Sequence, residues 1–302
     1  MAMSFLPGSK VWLPVLTSFL FAGSFVAGKY TTVDLGPLTT SLLRYVIAMV
    51  VLGLLISRSA RPSKALTVAR SDWGAMALLG LFGVVGYHYF FFLSLRYTAT
   101  ANTAIINAFN PVVTGVMAAL FIGERLTRRQ YAGIVLALLG VLTLLTRGNL
   151  TNLLTLELNR GDGLMLCAVL CWVVYSLIIK QLSQRYSGLT ITFYAAVAGV
   201  GQLLGLAAAE RWWQQLTLVS WNSLLAIVYM GVAASGVAYL LFNLSIQQVG
   251  PTRTASVVYS LVPIFVAALA WLFFREPLTA PMVASMGLIL LGVNVVLSLP
   301  KV

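Results

Sequence analysis

Ten apolar runs of about twenty residues, separated by short polar breaks, constrain this chain more than any other feature. They lie near residues 11–28, 37–57, 73–95, 98–122, 130–146, 163–182, 189–209, 223–247, 251–274 and 281–299. A bilayer core about 30 Å thick takes roughly 20 apolar residues per helix, and the runs match that length. They are continuously apolar and do not alternate, so they are predicted as helices and not as barrel strands. Ten such helices leave about a hundred of the 302 residues for loops and ends, too few for a separate soluble domain. The expected fold class is an all-α membrane protein of ten transmembrane helices in one membrane domain. Composition agrees: 60% of residues are hydrophobic and 9% charged, against roughly 25% charged in a soluble domain. A soluble enzyme, a disordered chain and a nucleic-acid-binding domain are excluded on this ground. Two cysteines exclude a disulfide framework.

The first run follows Lys10 and ends in Ala27-Gly28, which could be read as a signal peptide. Its length, and a later run that mirrors it, argue that it is retained as a helix. The charges then set the orientation. With the amino terminus in the cytoplasm, inside segments hold Lys10, Arg58, Arg61, Lys64, Arg70, Arg125, Arg128, Arg129, Lys180, Arg185, Arg253 and Lys301. Outside segments hold Lys29, Arg96, Arg147, Arg160, Arg211 and Arg275, while Arg44 lies within the second span. A 12:6 bias places both termini inside under the positive-inside rule. The net charge of +12 is thus mainly a topology signal, with attraction to anionic membrane lipids as a secondary effect.

Self-comparison reveals an internal repeat. Shifted by 151 or 152 residues, PVVTGVMAALFIGERLT (111–127) falls on PIFVAALAWLFFREPLT (263–279), and LLGV (138–141) on LLGV (290–293). Pro111 meets Pro263, Glu124 meets Glu276, and Lys29 meets Lys180. Each half holds five predicted spans, an odd number, so the halves enter the membrane in opposite orientations. The expected organisation is one five-helix repeat over 1–147 and an inverted one over 148–302, a design whose usual use is alternating access around a site near the midplane. The charges agree: four basic residues follow span two and only Arg211 follows span seven.

Two five-helix halves, each with a proline in its fourth helix, a Glu-x-Leu-Thr loop (Glu124 to Thr127; Glu276 to Thr279) and a Leu-Leu-Gly-Val helix, resemble the EamA repeats of the drug/metabolite transporter superfamily. The resemblance covers essentially the whole chain. The run Gly86 to Tyr89 and the pair Cys171-Trp172 are similar to the YddG type of bacterial amino-acid exporter. The resemblance implies that spans one, three, four, six, eight and nine wall a cavity.

Polar side chains inside a bilayer are expensive, so each is a candidate for function. His88, the only histidine, reads either as a neutral imidazole bonded between helices or as a cavity residue that donates to a substrate; its context favours the cavity. Its repeat counterpart is Tyr239, and Tyr87 flanks it. Trp172 is central in span six, away from the interfaces where Trp gathers; it fills a core gap or stacks on a ligand. Its repeat mate is Phe21. Pro111 and Pro263 each remove a helix bond, freeing the carbonyls of Asn107 and Tyr259. Kinks in both halves suit a hinge or a helix bowed around a cavity, with Asn107, Asn110, Tyr259 and Ser260 as candidate liners. Arg44 is read as structural, snorkelling to the interface or pairing with a buried carbonyl, and Lys29 and Lys180 as snorkelling from span ends.

All seven acidic residues (Asp34, Asp72, Glu124, Glu157, Asp162, Glu210, Glu276) fall in loops or at their edges. Small multidrug antiporters of the same superfamily use a glutamate in their first helix, and span one here has none. This disfavours cation/proton antiport and leaves facilitated export, or coupling through His88, whose ordinary pKa of about 6.5 permits it. Cys167 and Cys171 read as reduced packing residues. Asn149-Leu150-Thr151 matches a glycosylation sequon that has no meaning in a bacterium, and Gly201-x-x-x-Gly205 allows close helix packing without establishing a dimer. Arg211-Trp212-Trp213 reads as an interfacial anchor. There is no nucleophile–base constellation, metal spacing or phosphate loop, so no catalytic residue, metal or cofactor is expected. The leading expectation is a bacterial inner-membrane exporter of aromatic or other neutral amino acids and related metabolites, plausibly monomeric. Its partners are the small-molecule substrate and membrane lipids, with no nucleic acid. The alternatives are efflux of drugs or lipid-like compounds, and an intramembrane enzyme or scaffold.

Overall fold

The structure, a computed structural model, describes residues 12–58, 67–122, 127–146, 148–149, 159–217, 219–239, 241–242, 245 and 251–297. Among these residues the secondary structure is helical, with no strand. In chain order the helices are α1 (Trp12–Thr31), α2 (Pro37–Ser57), α3 (Trp73–Leu79), α4 (Tyr87–Tyr97), α5 (Thr100–Asn107), α6 (Asn110–Ile122) and α7 (Arg128–Leu145). The second half supplies α8 (Arg160–Leu182), α9 (Gly188–Leu206), α10 (Trp221–Tyr229), α11 (Pro251–Phe274) and α12 (Ala280–Leu297). Six helical segments are long and apolar enough to cross a membrane: 12–31, 37–57, 70–97, 160–179, 188–210 and 257–274. Shorter apolar helices run over 221–237 and 280–295.

The starts follow local chemistry. Pro37 opens α2 at a position where its missing N–H is no loss. Thr127 and Gln130 form a reciprocal capping box on α7. Asn159, Ser187 and Ser220 cap α8, α9 and α10 through side-chain oxygens.

The fold pairs one half with the other. The helix α1 packs on α10 and α11, α4 and α5 on α8, α2 on α9, and α7 on α12. The last two pairs join repeat counterparts. At the α7–α12 crossing a Cβ on Gly133 would stand 2.8 Å from the Gly292 carbonyl oxygen, and one on Gly292 2.5 Å from that of Gly133. Glycine is required there because the two backbones touch, and Gly292 is the glycine of the second Leu-Leu-Gly-Val. Gly201 and Gly205, by contrast, have nothing within 4 Å of a Cβ, so they pack no helix within the described chain.

Two features depart from the sequence reading. The third span is interrupted by a π-helical turn at Gly80–Gly86, and a matching one occupies Met230–Val237; the repeat shift lays Gly80 on Gly231. Such turns frequently mark functional sites. The two prolines also behave differently. The fourth span breaks at Ala108-Phe109, between α5 and α6, whereas α11 continues through Pro263. The residue before the proline explains the contrast. Asn110 donates its side-chain amide to the Asn107 carbonyl at 2.9 Å, satisfying off-axis the group that Pro111 frees. Its counterpart is Val262, which has no such donor. The two prolines therefore sit in unlike settings, a break in the first half and a continuous helix in the second.

The repeat motif at Glu124 to Leu126, the side chains of Lys180 and Arg253, most of the Asn149-Leu150-Thr151 sequon, and Lys10, Arg61, Lys64, Arg125, Arg147, Glu157 and Lys301 lie outside what is described.

Candidate substrate-binding site

A cavity lies where the two halves meet. The first half lines it with Phe21, Ser24 and Phe25 of α1, Arg44 of α2, Tyr87, His88 and Phe91 of α4, and Asn107 of α5. The second half contributes Trp172 of α8, Tyr239 and Phe242, and Val258, Tyr259 and Val262 of α11. Most of the wall is aromatic, and its rings pack against one another. Phe21 meets Tyr239 at 5.6 Å, Phe25 meets Phe91 at 4.9 Å, and Tyr87 lies 5.0 Å from Trp172.

Six of the eight candidates line this space, His88, Tyr87, Trp172, Asn107, Tyr239 and Tyr259, while Ser260 is absent from the lining. Asn110 is absent as well. It is buried behind the wall, with its amide held by both the carbonyl and the side-chain oxygen of Asn107. Pro111 and Pro263 are likewise absent from the lining.

The polar atoms are organised from neighbouring helices. Trp172 Nε1 donates to the Tyr259 hydroxyl at 3.0 Å, closing a contact between α8 and α11. The Tyr87 hydroxyl donates to Asn107 Oδ1 at 3.3 Å. His88 Nδ1 lies 3.0 Å from the Gly83 carbonyl, in the π-helical turn beneath it. A carbonyl can only accept, so Nδ1 carries the proton and Nε2 is the acceptor. The Tyr45 hydroxyl approaches Nε2 at 3.4 Å. His88 thus fits both readings: a fully bonded imidazole that also forms part of the wall.

Arg44 corrects the sequence reading. It neither reaches the interface nor bonds a carbonyl. Arg44 is 4% exposed, and its guanidinium donates to Ser235 Oγ at 2.7 Å and Ser24 Oγ at 3.2 Å. The signal was available, since Arg44 is the one cation well inside a span, but helix periodicity does not say which way it points. Lys29 is also corrected: its ammonium turns inward to the Leu95 and Thr98 carbonyls at 2.5 and 3.2 Å, capping the end of α4. Of the two cysteines, Cys171 packs toward Gly86, but Cys167 is exposed on the helix surface and is not a packing residue.

The described acidic residues lie at helix ends, and none of them lines the cavity. Glu210 accepts from the backbone of Leu38 and Thr39, and Glu276 from that of Thr100. Asp162 accepts from Thr98. Asp34 accepts from the Ser220 and Ser223 hydroxyls at 2.5 and 2.6 Å, and Asp72 from Tyr186 and Arg185 at 2.7 and 3.1 Å. Among the described residues no group of three or more His, Cys, Asp or Glu could hold a metal.

The profile of the EamA-like transporter family matches residues 9–146 and 159–298. The chain is 26% identical over 296 residues to a protein of Bacillus subtilis named "Uncharacterized transporter YyaM", covering 97% of this chain and 96% of that one. It is 26% identical over 279 residues, 92% of this chain and 90% of the other, to a "Probable terminal-alkyne amino-acid exporter" of Streptantibioticus cattleyicolor. It is 24% identical over 200 residues, 66% and 67% of the two chains, to the "Aromatic amino acid exporter YddG" of Ancylobacter novellus. A solved crystal structure, 18% identical, superposes with a TM-score of 0.63 over 96% of this chain and 97% of that one, and so shares its fold.

Proposed function

Because the chain belongs to the EamA-like transporter family, a family of multi-pass membrane transporters and not of enzymes, we propose that it exports aromatic or other neutral amino acids and related small metabolites. The observation that carries this reading is the cavity itself: aromatic, lined by both halves, and without a carboxylate among the described residues of its wall. Such a space suits a small amphipathic solute held by rings and a few hydrogen bonds. The exporter names of two relatives support the solute class.

The proposed arrangement is ten spans in two inverted repeats, 1–147 and 148–302, with both termini in the cytoplasm of a bacterium and the chain in its inner membrane. The cavity is the central site of an alternating-access cycle, for which the break before Pro111 and the helix through Pro263 are hinge candidates. A cation/proton antiporter uses a buried carboxylate as proton carrier and counter-charge. Facilitated movement down the solute gradient fits a carboxylate-free wall better.

Reconstitution into liposomes tests this. Labelled phenylalanine or leucine is expected to enter without an imposed pH gradient. Absence of flux for every amino acid sinks the solute class, and flux that needs the gradient replaces facilitated export with coupling through His88.

A further inference from the structure

Arg44 is the one group in the cavity that a net-neutral solute site does not require. It sits 4% exposed in the wall, with its Cζ 5.7 Å from the Tyr45 ring centroid, and its hydrogen-bond partners are two serine hydroxyls and, at 3.9 Å, the Met230 sulfur. All three are neutral. Among the described residues no carboxylate lies within ion-pair distance of it, and its Nη2 makes no hydrogen bond. A guanidinium placed inside a bilayer protein without a counter-ion is expensive. The fold does not demand it either, since the repeat counterpart of this position is Ala195.

The remaining polar capacity points the same way. Asn107 Oδ1 already accepts from Tyr87 and Asn110, so the part of Asn107 left for a ligand is its N–H donors. The Tyr259 hydroxyl accepts from Trp172 and keeps its own proton to donate. Around Arg44 the described wall therefore adds free donors to one positive charge, and holds no anion. A guanidinium fork matches a carboxylate in two parallel hydrogen bonds.

We infer that Arg44 anchors the carboxylate of the transported solute, so that the site selects apolar or aromatic monocarboxylates and does not require their amino group. This rests on the reading of the cavity as the solute site and sharpens its substrate class. An ammonium group finds ring faces and neutral acceptors in the described wall, so a cationic amine has no anionic partner and lies beside a like charge.

The test measures displacement of labelled 3-phenylpropionate from the purified full-length protein by phenylalanine, phenylalaninamide and phenethylamine. 3-Phenylpropionate and phenylalanine are expected to bind, with the amide and the amine at least tenfold weaker. Arg44→Gln is expected to abolish that discrimination. Ser235→Asp, which puts an internal carboxylate against Arg44, is expected to weaken 3-phenylpropionate at least tenfold and keeps the assignment testable if Arg44→Gln does not fold. An amine that displaces as well as the acid overturns the inference. So does discrimination that survives either variant, or a wild-type protein that binds none of the four compounds. If liposomes pass no amino acid while 3-phenylpropionate still binds through Arg44, the amino-acid reading fails and the carboxylate site stands. If amino acids pass and the amine competes equally, export stands and the site fails.

Discussion

The bond between Trp172 Nε1 and the Tyr259 hydroxyl ties α8 to α11 at the cavity wall, and it separates two roles of the indole. Trp172→Phe keeps a ring to stack on solute and loses the donor; Tyr259→Phe loses the acceptor. Each is expected to raise the apparent KM for labelled phenylalanine about fivefold, the equivalent of about 1 kcal/mol for one net hydrogen bond. The double variant is expected to be no worse than either single one, since both remove the same bond; additive losses in liposome flux would show that the groups act separately. Trp172 and His88 were legible in the sequence because a polar group in hydrocarbon must have a use. Asn110 was misplaced for a related reason. An amide three residues along the helix from Asn107 is as polar as a liner, and only the geometry shows that its donor is spent on the Asn107 carbonyl.

At the scale of elements, that same Asn110 decides how the fourth span ends. Asn110→Ala leaves the Asn107 carbonyl without its donor, and is expected to lower stability by about 1–3 kcal/mol, the penalty for a buried unsatisfied group. Thermal unfolding in detergent reads it, and an unchanged midpoint would mean another group takes over the carbonyl. The α7–α12 contact gives a sharper case. A side chain at Gly292 meets the Gly133 carbonyl oxygen at 2.5 Å, a backbone atom that cannot swing away, so Gly292→Leu is expected to cost roughly 1–3 kcal/mol or more by overpacking. Gly287→Ala on the same helix has open space and is the control expected to show no loss. The paired π-helical turns were not legible, because glycine-rich apolar segments also form ordinary helix. Their appearance at repeat-related positions beneath His88 and Tyr239 makes them part of the site's support.

Across the whole molecule, the two halves are joined at opposite helix ends by contacts that the repeat relates: Asp34 with Ser223, and Arg185 with Asp72. The first lies in the α1–α2 loop. Hydrogen bonds from Ser220, then Ser223, hold the Asp34 carboxyl below the ordinary carboxylate range against a smaller opposing effect of burial. A depressed folded value means that the stabilising contribution is present at neutral pH and is lost as pH falls through that lower value. Asp34 is largely solvated, so its contribution to global stability is screened, and the expected signal is local. Hydrogen exchange at the start of α10 is expected to quicken on acidification, and Asp34→Asn to remove that dependence. A wild-type profile flat to pH 3 would remove the carboxylate from this role. Near these contacts Lys29 bonds the end of α4, Arg96 the Leu35 carbonyl, and Arg160 lies over the Tyr97 ring.

The sequence by itself determined that this chain is helical, membrane-embedded and internally repeated. Long apolar runs leave the backbone no partner but itself in hydrocarbon, and repeated residues align without any structure. Which side chains face the cavity was decided only in three dimensions. These helices are apolar on every side, so periodicity marks no inward face. Arg44 became a wall residue, and Asn110 a support behind it, only when α2 and α5 were set against their neighbours from the other half.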